Sequence, residues 1–301
     1  MKRALALLAA LTMALSLFAC ASQPAAPAAP EPAPQTQPAA PAQTQPAPAQ
    51  PQDTPAAQDE VWSYALRTET TTNEYKADDG TVIATSSYEQ PVLVLVNASG
   101  EEFAGSTPER GVTAEQLAAC KKFNDETGST GLWTIDLEAE AKDQYAFKSA
   151  EGIEMLPLVD EVTLEDSFRN GDLLSVLVSD YANLGGAHPD YGVRGWNFDL
   201  AKGEFFTLAE LAEQPEAMKQ AITDEIVRQI GESDMAEGFY SDYAELIADR
   251  DFFEAFFGED ALTVWFQEYE LGPHAIGVPT FEIPYSVISG YLTGYGAALL
   301  G

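Results

Sequence analysis

The chain has 301 residues, a formal net charge of −33, two histidines and two cysteines. Its 48 acidic residues against 15 basic ones exclude a nucleic-acid binder, because DNA and RNA require a basic face. A four-cysteine zinc site is impossible, and a site of two cysteines and two histidines would use every Cys and His present.

Lys2 and Arg3 open the chain, and Ala4 to Phe18 is apolar apart from Thr12 and Ser16. A charged start before an apolar run of this length reads as an export signal and is short for a membrane-spanning helix. The run ends Leu17-Phe18-Ala19-Cys20, which resembles a bacterial lipoprotein signal over residues 1–19. That resemblance implies lipidation of Cys20 and a membrane partner reached through the lipid anchor. Two acyl chains hold a protein on a membrane where one is marginal. The alternative is an ordinary secretory signal cleaved nearby.

Residues 20–58 follow as a linker. From residue 21 it carries 11 of the chain's 19 prolines, and its only charges are Glu31 and Asp53. With no periodic apolar face it is expected to be disordered. Stretched toward polyproline II at about 3.1 Å per residue, it reaches on the order of 100 Å. Lys2, Arg3, Glu31 and Asp53 cancel, so the whole charge of −33 sits on residues 59–301. Such a field attracts cationic partners, basic proteins and calcium among them, or serves solubility alone.

Two subdomains are expected, 59–155 and 156–301. Trp62, Tyr64 and Leu66 alternate with polar or small neighbours, Asp78-Asp79-Gly80 marks a turn, and Val82 to Val96 is strand-like. Pro91 points to an edge or a bulge. Thr113 and Gln116 form a capping box with Val112 and Leu117 as a hydrophobic staple, so a helix runs to about Glu126 and stops near Gly128. A second helix is expected over about Asp136–Ser149. Asn170-Gly171 joins two strands across 158–182, and Val193–Leu200 extends an antiparallel meander. Met218, Ile222, Ile226 and Ile230 predict a helix with Pro215 in its first turn and Gly231 at its end. Another helix is read over about Tyr240–Phe257. A β pair (Leu262–Phe266 and Phe281–Tyr285) and a short helix to Leu292 close the chain. The fold class is α+β: a twisted antiparallel sheet with helices packed on one face.

No hydrolase elbow, zinc-protease, P-loop or dinucleotide motif is present. Cys120 lies in Leu117-Ala118-Ala119-Cys120 and reads as a packed apolar position. His188 follows Gly185 and Gly186 and precedes Asp190 and Tyr191; it either fixes its loop through the backbone or meets a partner or substrate. His274 follows Glu270 and Pro273 in the loop between the last two strands. These two loops are the candidate binding loops. No metal or cofactor is expected; the nearest approach to a metal site is His188, His274 and Glu270, should the loops meet at one sheet end.

Gly185-Gly186-Ala187-His188, with Phe198-Asp199-Leu200 and Thr207-Leu208-Ala209-Glu210-Leu211, is the first part of a recognisable pattern. Tyr269-Glu270-Leu271-Gly272-Pro273-His274-Ala275-Ile276-Gly277 with Phe281-Glu282-Ile283-Pro284-Tyr285 is the second. Together they resemble the RsiV-type C-terminal domain, a bacterial extracytoplasmic family of unknown function. It occurs in the lysozyme-sensing anti-sigma factor and beside a peptidoglycan deacetylase domain. The resemblance covers roughly 157–292, and residues 60–155 are similar to a diverged copy of the domain that usually precedes it. It implies an α+β domain outside the membrane that binds lysozyme or a peptidoglycan component without catalysis. An enzyme acting on peptidoglycan or a related glycan, and a structural envelope lipoprotein, are the alternatives.

Overall fold

The computed structural model describes residues 60–128 and 135–301. The expected signal peptide, Cys20 and the expected Pro-rich linker lie outside the described residues. Among the described residues, no helix is long and apolar enough to cross a membrane.

β1 (Trp62–Lys76) and β2 (Val82–Asn97) form the expected antiparallel hairpin around Gly80, whose φ of 87° suits the turn. β3 (Leu158–Asn170) and β4 (Leu173–Asn183) turn at Gly171 (φ 56°), and β5 (Asp190–Asp199) and β6 (Glu204–Phe205) complete the meander. The six strands lie in chain order in one sheet. One pairing departs from the antiparallel expectation: β2 meets β3 in parallel, over Ala84–Tyr88 against Leu158–Val162. A parallel neighbour needs a crossover, which the intervening helices supply. The sheet therefore runs unbroken across the expected subdomain boundary.

α1 (Ala114–Thr127) begins with the expected capping box: Thr113 Oγ1 accepts from Gln116 N–H at 3.1 Å, and Gln116 Oε1 accepts from Thr113 N–H at 3.0 Å. Its Ala119 and Phe123 pack on Val162, Leu174, Val176, Val178 and Phe198, one face of β3–β5. Beyond Tyr88, β2 has no strand on its β3 side, and α1 takes that place. Leu93 N–H donates to Asn124 Oδ1 (2.7 Å), Asn124 Nδ2 donates to Leu93 O (3.0 Å), and Thr127 Oγ1 donates to Pro91 O (3.1 Å). Pro91, which lacks an N–H, thus sits on the free stretch of strand its sequence implied. α2 (Leu137–Ala150) starts at Asp136, which caps Ala139 N–H, and covers Ala84 and Leu158.

The other face of the sheet carries a second, three-stranded antiparallel sheet of β7 (Ala255–Phe257), β8 (Ala261–Trp265) and β9 (Thr280–Pro284). Two junctions hold it there. Phe257 N–H donates to Ser175 Oγ (2.9 Å), Ser175 Oγ donates to Asn197 Oδ1 (2.6 Å), and Asn197 Nδ2 donates to Ala255 O (2.8 Å). Trp265 lies so close to Gly195 that a Cβ there would stand 2.7 Å from its ring. α3 (Pro215–Glu232) buries Met218, Ile222, Ile226 and Ile230 against this small sheet; Gly231 lies inside the helix, which ends at Ser233. The helix read over Tyr240–Phe257 is corrected: α4 spans only Tyr243–Ala248, and Ala255–Phe257 is β7. The chain does not close at Leu292 either. α5 (Tyr285–Ile288) and a 3-10 turn lead into α6 (Gly294–Leu300).

The start of β1 is clasped. Arg110 O accepts from Glu60 N–H (3.2 Å) and Trp62 Nε1–H (2.7 Å). The Arg110 guanidinium reaches Glu60 (2.8 Å) and Glu101 (3.1 Å) and lies 5.2 Å from the centre of the Trp62 ring. Gly111 (φ 88°) approaches so closely that a Cβ would meet Glu60 O at 2.3 Å.

Candidate functional site

The two histidine loops meet at one end of β5. The first, 184–189, joins β4 to β5; the second joins β8 to β9 and holds a 3-10 turn at His274–Ile276. The second loop docks on the free edge of β5 by imitating a strand. Val193 N–H donates to Gln267 Oε1 (3.1 Å), and Gln267 Nε2 donates to Val193 O (2.6 Å). One position along, Tyr191 N–H donates to Glu268 Oε2 (3.1 Å).

This docking stacks the imidazoles of His188 and His274, with ring centres 3.8 Å apart and planes 21° from parallel. His188 Nε2 lies 3.1 Å from the Tyr269 hydroxyl, and its Nδ1 is 3.1 Å from Pro189 O. His274 Nδ1 faces Glu268 Oε1 at 2.9 Å. The Glu268 side chain is only 6% exposed, and neither of those two atoms makes a hydrogen bond among the described residues. Tyr269 takes a φ of 68°, a strained conformation for a bulky residue that turns its ring outward beside the histidines. Loss of hydration, then the Glu268 and Asp190 carboxylates, holds its phenol above the ordinary tyrosine range.

The two loops thus meet and bring both histidines to one carboxylate, which is Glu268 and not the Glu270 of the conditional reading. Glu270 points the other way. It takes both hydrogen bonds of Arg250 Nη2 (2.8 and 2.9 Å) and accepts from Gln267 N–H (2.6 Å). It is the latch of the loop. Gly185 has φ 79°, and a Cβ there would strike Gln144 Oε1 at 2.6 Å, whereas one on Gly186 would meet only His188 O at an ordinary 3.7 Å. Asp190 begins β5, Tyr191 is 45% exposed with its ring 5.2 Å from Tyr181, and Pro273 is the exposed residue before the 3-10 turn. Sequence reading missed Gln267, Glu268 and Tyr269 as members of the site. The available signal was the carboxylate on each side of Tyr269.

Stacked rings present faces to one another, so their nitrogens do not converge on a common point. Among the described residues, no group of three or more His, Cys, Asp or Glu side chains is placed to hold a metal ion. Burial pushes the Cys120 thiol up to about 11, which disfavours the thiolate and suits the packed position expected for it. The cluster brings two aromatic hydroxyls, two imidazoles and a shielded carboxylate together on the loop pair.

No curated protein is similar to the chain. A DUF3298 family member from Bacteroides fragilis shares the fold, with 15% identity, a TM-score of 0.50, and coverage of 81% of this chain and 98% of that one. A DUF3298 family protein from Pseudomonas aeruginosa aligns at 13% identity and a TM-score of 0.45, covering 80% and 98%. Residues 209–286 match the profile of DUF3298, described as a protein of unknown function, so this stretch, which includes the His274 loop, is a DUF3298 domain.

Proposed function

We propose that the chain is a lipid-anchored extracytoplasmic binding module, without catalytic activity, for a basic wall-targeting protein such as lysozyme or for peptidoglycan itself. The observation that carries this reading is the charge of the folded body. Its net −33 already counts every basic residue, and most of these, Arg67, Lys76, Arg110, Lys142, Arg228 and Arg250 among them, already face carboxylates. The surplus is left to an external cationic partner. The resemblance to the RsiV-type domain supports lysozyme as the partner and the two histidine loops as its contact. Tyr191 and Tyr269, each about half exposed, supply aromatic area there. Cys20 is the anchor.

The test is a pull-down of the full-length protein with lysozyme and with purified peptidoglycan at about 0.1 M and about 1 M salt, where the screening length falls from ~10 to ~3 Å. Lysozyme retained at low salt and released at high salt is expected. Retention of neither ligand refutes the reading, and salt-independent lysozyme binding refutes its electrostatic basis.

A further inference from the structure

A pocket of about 430 Å³ lies away from the histidine loops, between β5, β6, the turn after β6 and the segment entering β7. Its volume is in the range that takes a small ligand or a long side chain with its flanking residue. Trp196, Phe205 and Phe253 give it aromatic walls, and Glu126, Glu210 and Glu254 bring carboxylates to it; no Lys, Arg or His is among its lining residues. Glu210 uses Oε2 to hold the Thr207 N–H and hydroxyl at 2.6 and 3.0 Å. Glu126 and Glu254 are exposed and have no ion-pair or hydrogen-bond partner among the described residues. Lys122, one turn before Glu126 on α1, is paired with Glu204 instead.

We propose that this pocket receives an arginine side chain of a basic protein partner, an inference that rests on the reading of the body as a receptor for basic proteins. Aromatic walls bind a guanidinium face through their π-electrons, and carboxylates take its fork of N–H donors. The two features together discriminate. An anionic ligand is repelled by three carboxylates, and an uncharged apolar ligand gains nothing from them. The fold already makes this kind of contact within itself, with the Arg110 guanidinium 5.2 Å from the centre of the Trp62 ring and the Arg194 guanidinium 5.2 Å from that of Trp196. The chain's own N-terminal segment does not supply the cation, since residues 4–58 contain no Lys or Arg. Arginine suits the site better than lysine because its charge is spread over a plane that stacks.

The experiment is calorimetry on the full-length protein with N-acetyl-arginine amide and with its uncharged isostere N-acetyl-citrulline amide, repeated on the Glu126→Gln/Glu254→Gln double variant. Both positions are exposed, and unchanged circular dichroism confirms that the variant folds. The arginine probe is expected to bind at least about tenfold more tightly than the citrulline probe. The double variant is expected to erase about tenfold of its affinity, the loss of one or two partly exposed charge contacts. Equal binding of both probes, or an unchanged affinity in the variant, overturns the pocket assignment. A glucosamine oligomer that displaces the arginine probe and binds more tightly overturns it in favour of a cationic glycan. Lysozyme capture on the same variant separates the two readings. Salt-sensitive capture untouched by the substitutions removes the pocket and leaves the acidic receptor standing. Glutamate-dependent arginine binding with no lysozyme capture does the reverse.

Discussion

Replacing Asn197 with alanine breaks the polar bridge between the two sheets in a way whose cost can be worked out. The side chain accepts the Ser175 hydroxyl and donates to the Ala255 carbonyl, in a place where Asn197 is 8% exposed and Ser175 fully buried. The variant leaves the proton of that hydroxyl without an acceptor and that carbonyl without its donor. A buried polar group left unpaired costs about 1–3 kcal/mol, so the pair of them costs about 3 kcal/mol. Ser175→Ala strands a different pair, the Phe257 N–H and Asn197 Oδ1, at a similar cost. Because both substitutions delete the same Ser175–Asn197 bond, the double variant loses less than the two singles together, by about 1 kcal/mol or more. Urea unfolding followed by tryptophan fluorescence reads this directly. With a slope of about 1–3 kcal/mol per molar, each single variant lowers the midpoint by roughly 1–3 M at unchanged slope. A midpoint shift below about 0.3 M, or costs that add fully, would show that apolar packing alone joins the sheets.

Two further outcomes follow from the loops and the buried carboxylates. Gly272→Ala puts a Cβ 2.5 Å from Ile276 Cγ1 and 3.3 Å from Gly238 O, so the turn carrying His274 must move. The overpacking is expected to cost about 1–3 kcal/mol and to unstack the imidazoles, read as loss of the ring-current shift on the histidine proton resonances; unmoved resonances refute it. Asp160 and Asp199 should give opposite pH dependences. Burial raises the Asp160 pKa despite the bond from Tyr88, so its ionisation opposes folding above that pKa and the penalty vanishes below about pH 4. Asp160→Asn therefore gains stability over the native chain as pH rises from 3 to 7. Asp199 is also buried, but the Tyr295 hydroxyl, the Lys202 and Ala201 N–H groups and the Lys202 charge outweigh burial and hold it low. Its stabilisation is present above about pH 4 and lost as pH falls through the folded value, so Tyr295→Phe costs more at pH 7 than at pH 3. Parallel pH profiles for the two variants would refute the assignment.

What the sequence disclosed is what local chemistry decides. Thr113 and Gln116 close a capping box within three residues, and Asn170-Gly171 fixes a hairpin by its own backbone preference. The parallel β2–β3 contact was hidden because Ala84–Tyr88 reads Ala-Thr-Ser-Ser-Tyr, lacks the apolar run of a buried parallel strand, and finds its partner some seventy residues away. β7 was taken into a helix because Tyr243, Leu246, Ile247, Phe253, Phe256 and Phe257 recur at helical spacing. In the fold, Ala255 to Phe257 are buried on both faces, so a strand and a helix face give the same pattern. The meeting of the histidine loops was only a condition in the sequence, because the two loops join strands of different sheets. The choice of Glu268 over Glu270 was not legible, because an irregular loop has no period and the positive φ of Tyr269 reverses which neighbour faces inward.

The Arg110 clasp has a mechanical meaning. Tension on the chain before Glu60 enters the fold at the free end of an edge strand, the geometry in which hydrogen bonds peel one at a time instead of resisting together. The Glu60–Arg110–Glu101 ion pairs, the Trp62 indole and the close approach of Gly111 stand ahead of the first rung, Trp62 to Asn97. They act as a stitch at the end of a seam, and force must undo them before β1 can begin to unzip.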